Sequence, residues 1–219
     1  NAKIRLDKGI ILSNPYAHKC CKAAGIKSEA KHYKYKKPGV AGKVFPNLLL
    51  SELQIDGPLQ CIVSDMTAFR VKGVYYELTL YMDLWNNEIV SHSLSSKRGD
   101  RMTYISGLKE LLELKKQYPE YQMILHSDQG SVYASKAYND LLPMYVTRSM
   151  SRAGTPTDNG AMESINGWIK AELFMDFHVT GDRPVETEID EYITFFNEQR
   201  PAYALNYLTP KQYRETYAP

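Results

Sequence analysis

Cysteine is scarce in this chain: Cys20, Cys21 and Cys61 are the only three in 219 residues, and no two are spaced Cys-x-x-Cys. An odd, unpatterned set argues against a disulfide framework, and His18, Cys20, Cys21 and His32 fit no common zinc-finger spacing. Long apolar runs are missing too. None reaches the ~18 residues that cross a bilayer, and the first eight residues lack the apolar centre of a signal peptide. No membrane partner is expected, and the cytoplasm is the default compartment. There is no internal repeat and no low-complexity block. The first residue is Asn1 rather than Met, so a fragment or a processed product is expected, with sequence missing upstream.

What is present is enough for one sizeable core with a small appendage, since 43% of the residues are hydrophobic. The net charge of +2 hides an asymmetry. Residues 1–43 hold 11 Lys/Arg against Asp7 and Glu29, while the remainder holds 16 Lys/Arg against 23 Asp/Glu. A basic arm ahead of an acidic domain suits a protein that grips phosphates with one part and holds cations with the other. A merely solvated lysine-rich tail is the competing reading. Lys34, Lys36 and Lys37, interleaved with Tyr33 and Tyr35, are candidate nucleic-acid contacts with rings available for stacking. The composition divides the chain into a basic helical segment at 1–43, a Gly/Pro-rich linker at 44–58 that docks at Leu48-Leu49-Leu50, and a main domain at 59–219.

Within that scheme, residues 13–24 read as a short basic helix, with Ser13 or Asn14 as cap, Pro15 in the first turn and Gly25 as stop. Three antiparallel strands are expected at 61–69, 74–85 and 88–94, the last two joined by a two-residue Asn86-Asn87 turn. A helix at 101–117, a buried strand at 122–126, a helix near 131–141 and a brief strand at 144–147 follow. After a Gly/Pro-broken loop comes a helix that Asp158 can cap, and another at 184–199. Three strands followed by strand–helix alternation predict an α/β fold, a mixed sheet flanked by helices.

Three acids stand out. Asp65 interrupts an apolar strand, Asp128 lies at the mouth of the fourth strand before Gly130, and Glu163 lies near the start of its helix. If the first and fourth strands are neighbours, the two aspartates face each other. On the helix, Glu163, Asn166, Gly167 and Lys170 share one face, while Met162, Ile165, Trp168, Ile169 and Leu173 gather on the other. An ordinary amphipathic surface helix is the bland reading of that stretch alone. Three carboxylates in one place repel unless a cation compensates, and oxygen-only ligands favour Mg²⁺ or Mn²⁺. Two ions about 3.5–4 Å apart would suit in-line displacement at a phosphodiester. Asp83, Asp100 and Asp140 compete as acids, but a hairpin end, a helix cap and a helix flank account for them. His126 is expected to orient Asp128 or to pack.

Four segments resemble DDE transposases and retroviral-type integrases, closest to the IS-three family of bacterial insertion-sequence transposases in its IS-one-fifty-like branch. They are Ser64-Asp-Met-Thr67 with Tyr81-Met-Asp-Leu84 and Glu88-Ile-Val90; His126-Ser-Asp-Gln-Gly-Ser131; Ser149-Met-Ser-Arg152 with Asp158-Asn159 and Met162-Glu163; and Phe196-Asn197 through Arg200-Pro201 to Tyr207-Leu-Thr-Pro210. The resemblance implies an RNase H-like five-stranded sheet, with Asp65, Asp128 and Glu163 as catalytic and metal-holding acids and Lys170 as a DNA contact. Asn166 and Arg152 are further candidate DNA contacts. The implied activity is metal-dependent cleavage and strand transfer at element ends, with DNA as partner and a homo-oligomer assembled on it. It also makes 1–43 the tail of a DNA-binding region. The sequence departs from the family pattern at Ile62 and Ala202, where a tryptophan and a histidine are usual, and in an Asp128-to-Glu163 spacing one residue short. A hydrolytic nuclease of the same fold and a non-catalytic DNA-binding relic remain open alternatives.

Overall fold

The computed structural model describes residues 7–26, 42–155, 158, 160–177 and 179–218, without the side chains of residues 160–163. The first element, α1 (Asn14–Ala23), is capped by Ser13 and has Pro15 in its first turn; none of its residues is buried. Cys20 and Cys21 are exposed and Cys61 is buried.

The core is a five-stranded mixed sheet built from β1 (Cys61–Val71), β2 (Val74–Asp83), β3 (Ile89–Ser95), β4 (Met123–Ser127) and β5 (Val146–Met150), in the order β3-β2-β1-β4-β5. The first three strands form an antiparallel meander, while β4 pairs parallel with β1 and β5 parallel with β4. Parallel strands need a crossover. The helix α2 (Arg101–Lys115) provides the one from β3 to β4. Asp100 caps this helix by accepting the N–H of Met102.

Period-two alternation sends apolar residues to both faces of the sheet. Val63, Leu78, Leu80 and Met82 face α4 (Gly160–Met175) and α5 (Val185–Glu198), packing with Ile169, Leu173, Ile189 and Phe196. Ile62, Tyr81 and Leu125 face the other way, onto Tyr104, Leu108 and Leu111 of α2 and onto Tyr133 and Tyr138. At the open edge of the meander, the Asn197 amide grips β3 by accepting the N–H of Ile89 and donating to its carbonyl, both at 2.9 Å.

Several elements differ from expectation. The expected helix at 131–141 shrinks to α3 (Lys136–Asn139). Residues 130–135 are spent on turns, and the Asn139 amide donates to the carbonyls of Tyr133 and Ser135. A turn closed by Val146 N–H on the Pro143 carbonyl pushes the last strand back to 146–150. The β2–β3 turn is longer than two residues, with Asp83 N–H bonded to the Glu88 carbonyl and Asn87 at φ +57°. The stretch around Leu48-Leu49-Leu50 docks along β5 and onto the turn before α3, at several points. Pro46 accepts the Met150 N–H, Leu48 N–H reaches Ser149 Oγ, and Lys43 N–H reaches the Ala134 carbonyl. A closing helix not anticipated from the pattern, α6 (Pro210–Tyr217), starts at a Thr209/Gln212 capping box. It docks through the Arg214–Glu88 ion pair and through Asn86 Nδ2 on the Pro210 carbonyl.

Candidate active site

The parallel pairing of β1 with β4 fixes the centre of the site. Ser64 lies opposite Ser127, so Asp65 and Asp128 are the next residues on strands about 4.8 Å apart. Both alternate onto the α4 side of the sheet. Asp65 Oδ1 accepts the Met66 N–H and Asp128 Oδ1 accepts the Gly130 N–H, each at 2.8 Å. A Cβ at Gly130 would lie 2.8 Å from that same Asp128 oxygen. Glycine is what lets the backbone approach the carboxylate closely.

Helix α4 reaches this pair. Asn166 Nδ2 donates to Asp65 Oδ2 at 2.8 Å, and the residue is only 6% exposed. Glu163 lies one turn before Asn166 on the same helix, and residues three apart share a face. The Glu163 backbone therefore stands on the side that meets Asp65; its side chain lies outside the described set. Among the described side chains, no three histidines, cysteines or acids converge as a metal cluster. Asp65 and Asp128 are the two carboxylates brought together there.

Electrostatics set these acids apart. Burial raises the Asp128 carboxyl above its ordinary range, against the lowering effects of the Gly130 N–H and of Arg148. Arg148 is a residue the sequence reading missed. Only 5% exposed on β5, it donates to the Leu125 carbonyl and to Ser127 Oγ, directly behind Asp128. Its guanidinium also stacks on Phe45 and Tyr138. Ser64 Oγ and the Tyr133 hydroxyl, 2.8 Å apart, back Asp65 from the α2 side.

The remaining candidates fall at varied distances from that centre. His126 is fully buried and bonds Ser149 Oγ at 2.8 Å and Ser151 Oγ at 3.0 Å, not Asp128. Burial and Arg148 pull its pKa down to about 4, so it stays neutral and ties β4 to β5. The Asp158 carboxylate is occupied by Arg152, accepting from its backbone N–H, Nε and Nη2 at 2.8–2.9 Å. That fork holds Asp158 well below the usual carboxylate range and closes the loop leading into α4. Lys170 is part-exposed on α4, two turns beyond Glu163. Trp168 does not join the packed face with Ile165, Ile169 and Leu173: it is 55% exposed, with Arg200 stacked over its ring at 5.3 Å. Arg200 in turn pairs with Glu172 at 2.8 Å. Lys34, Lys36 and Lys37 lie outside the described residues. The competing acids hold structural posts. Asp83 binds the Leu59 and Trp85 N–H groups, Asp100 caps α2, and Asp140 pairs with Lys136.

Residues 144–210 match the integrase core domain family. The chain is 34% identical over 185 residues to the putative transposase InsK for insertion sequence element IS150 of Escherichia coli K12, covering 83% of this chain and 64% of that protein. It is 30% identical over 217 residues to the transposase for insertion sequence element IS904 of Lactococcus lactis, covering 97% of this chain and 85% of that protein. Among solved structures, the HTLV-2 integrase catalytic core in complex with magnesium superimposes with a TM-score of 0.55 over 71% of this chain and 96% of its own, at 18% identity. The simian T-cell lymphotropic virus intasome gives 0.60 over 96% of this chain and 73% of its own, also at 18% identity. The shared architecture is the RNase H-like integrase core fold.

Proposed function

Since the chain belongs to the insertion-sequence transposases, we propose that it cuts and joins DNA at the ends of an insertion sequence, with Asp65, Asp128 and Glu163 as its catalytic acids. The observation that carries this reading is the juxtaposition of Asp65 and Asp128 across the β1–β4 pair, with Asn166 bonding Asp65 from the helix that bears Glu163. The chain spans 64% of the length of the E. coli relative, so the activity proposed is that of its catalytic part.

The residues fit a divalent cation. Asp65 and Asp128 offer hard oxygen ligands, and the raised Asp128 carboxyl is an incompletely compensated charge of the kind a cation satisfies. Asp65, Asp128 and Glu163 would hold Mg²⁺ or Mn²⁺, two ions in the full arrangement. When bound, such ions supply an activated attacking oxygen and charge stabilisation at phosphorus.

The chain's own groups do the rest. Asn166 fixes the Asp65 carboxylate, the Gly130 N–H fixes Asp128, and Arg148 holds Ser127 beside it. The Arg152–Asp158 fork sets the entry of α4. Lys170, Arg152 and Asn166 are the proposed contacts to substrate phosphates, with Lys34, Lys36 and Lys37 as further basic contacts proposed from the sequence. In the joining step the 3′-oxygen of an element end attacks a target phosphorus. A new P–O bond forms as the target's own 3′-oxygen leaves and takes up a proton. Two DNA ends per event favour a homo-oligomer assembled on DNA.

The test is a joining assay with labelled DNA ends bearing a free 3′-hydroxyl and a plasmid target, in Mg²⁺ or Mn²⁺, comparing the chain with Glu163→Gln. Joined product lost in the variant is the expected result. Nicks without joining would assign a hydrolytic nuclease instead, and no metal-dependent product would sink the reading.

A further inference from the structure

The hairpin that carries Asp65 runs on past it to a tip that the proposed chemistry leaves unused. On its α2 side, Arg70 and Tyr75 are direct cross-strand partners. Arg98, from the loop after β3, comes to the same ring. The two guanidinium groups lie 5.7 and 5.5 Å from the Tyr75 centroid. Arg70, Lys97, Arg98 and Arg101 are all exposed. Among the described residues none of the four forms an ion pair with a carboxylate. Lys72 at the tip, by contrast, is paired with Asp182.

A buried carboxylate organises this cluster. Glu77 on β2 is 3% exposed. It accepts the Gly99 N–H at 2.9 and 3.0 Å, the Asp100 N–H at 3.3 Å and the Tyr75 hydroxyl at 2.8 Å. Gly99 takes φ +71°, so the loop folds back over the hairpin. Burying a carboxylate costs several kcal/mol unless it is fully bonded. Here every bond goes to fixing the Tyr75 ring and the 98–100 backbone. The outcome is that Arg98 and Arg70 are both held at the Tyr75 ring. Stacking occupies the guanidinium faces; Arg70 Nη1 donates to the Gly73 carbonyl, and the other N–H groups point edge-on, the geometry that suits phosphate oxygens.

Pairing also locates the cluster relative to the acids. Ala68 and Ser95 both lie opposite Glu77, so the tip and the loop are side by side at the Asp65 end of the sheet. Arg70 follows Asp65 by five residues, an odd number, so it lies about 17 Å farther along the strand and on the opposite face of the sheet.

We propose that Arg70, Lys97, Arg98 and Arg101 form a phosphate-backbone track that holds duplex DNA on the α2 face of the hairpin and the loop after β3. The proposal rests on the transposase reading for its DNA, but binding alone tests it. Charge complementarity names the occupant: four unpaired cations at an exposed tip match the regular charge of a duplex backbone.

The experiment measures affinity of the full chain for a fluorescent duplex of arbitrary sequence, without divalent cation, over a range of salt. Arg70→Ala/Arg98→Ala should flatten the plot of log K against log salt by roughly 2 and weaken binding roughly tenfold near physiological salt. Arg70→Lys/Arg98→Lys should restore most of the slope. Because Arg70 also bonds the Gly73 carbonyl, Lys97→Ala/Arg101→Ala serves as a second variant without that contact and should flatten the slope similarly. Lys109→Ala/Lys116→Ala removes the same charge from the exposed side of α2 and its C-terminal end and should leave the slope unchanged. An unaltered slope in both track variants, or an equal change in the α2 control, would overturn the proposal. If the slope flattens while Glu163→Gln still joins DNA, the track stands and the catalytic assignment falls; the reverse pattern separates them the other way.

Discussion

Asn166 on α4 and Asp65 on β1 are joined by a 2.8 Å hydrogen bond between elements 101 residues apart in sequence. The bond does two things. It satisfies one oxygen of a carboxylate at the sheet, and it sets the rotation of the helix that carries Glu163 one turn earlier. A helix rotated by one residue, about 100°, would turn that face away.

Asn166→Ala should therefore lower joining roughly 10²-fold, the scale of an ångström of misplacement in a reacting group, with the loss in kcat rather than KM. Asn166→Asp should be worse at low metal and partly recover at high Mg²⁺, because a second carboxylate against Asp65 is repulsive until a cation compensates. Wild-type joining by Asn166→Ala would show that the bond does not position the helix.

Metal binding should be visible without catalysis. A cation that binds only the folded chain at about 100 times its Kd adds about 2.7 kcal/mol of stability. Mg²⁺ or Mn²⁺ should accordingly raise Tm, EDTA should reverse the rise, and Asp65→Asn or Asp128→Asn should abolish it. Without metal, Asp128→Asn should be at least as stable as the parent, since it removes a carboxylate whose charged form burial disfavours. An unchanged metal response in both variants would move the cation elsewhere.

How much of this was legible in the sequence follows from which interactions are local. Residues 61–71 and 74–83 are rich in β-branched and aromatic residues, so these strands could be read directly, whereas the nearness of Asp65 to Asp128 depends on the long-range β1–β4 pairing. The Thr209-Pro210 start with Gln212 was an equally local signal for α6, and one that went unused. Arg148 behind Asp128, Arg152 on Asp158 and Glu77 under the 98–100 loop are long-range or turn-dependent pairings with no periodic trace. Trp168 shows the limit of helical-wheel reasoning. Its 100° offset from Ile169 is enough to leave it outside the packed stripe, where Arg200 covers one face of its ring.

The Arg152–Asp158 fork is a positioning device for the loop before α4. Arg152→Ala should slow joining roughly 10–10²-fold, as misplacement does, and lower Tm as well, because Asp158, with its side chain 2% exposed, loses two of its donors. Arg152→Lys should not rescue, since an ammonium cannot supply the two parallel N–H donors. Full activity in the lysine variant would reduce the contact to simple charge.

Glu172 and Arg200 join α4 to the end of α5, each side chain 19% exposed, and the Tyr192 hydroxyl donates to the same carboxylate. Glu172→Ala leaves a guanidinium and a phenol without their acceptor, at a cost of roughly 1–3 kcal/mol. Denaturant unfolding should report that loss as a lower midpoint at unchanged slope. A midpoint within error of the parent would mean that stacking on Trp168 and Phe196 suffices to hold Arg200.

Asp83, opposite Ile62 at the end of β2 away from the hairpin tip, gives the fold a pH dependence of its own. Burial, assisted by Glu88, pushes its carboxyl up to about 7, although the Leu59 and Trp85 N–H groups and Arg214 oppose the rise. The folded chain then holds a proton that the unfolded chain has released. For a raised carboxyl the stabilising contribution is complete below the unfolded value near 4 and is lost as pH climbs through the folded value. His126, held neutral with its pKa near 4, gives the opposite slope between about pH 4 and 6.5, so the two contributions offset in the parent's metal-free Tm. Asp83→Asn, which cannot titrate, should leave the His126 contribution unopposed and make Tm rise with pH over that window relative to the parent, even if its absolute Tm is lower for want of one acceptor. Comparing slopes rather than midpoints separates the two effects, and parallel slopes in parent and variant would assign the pH dependence to other groups.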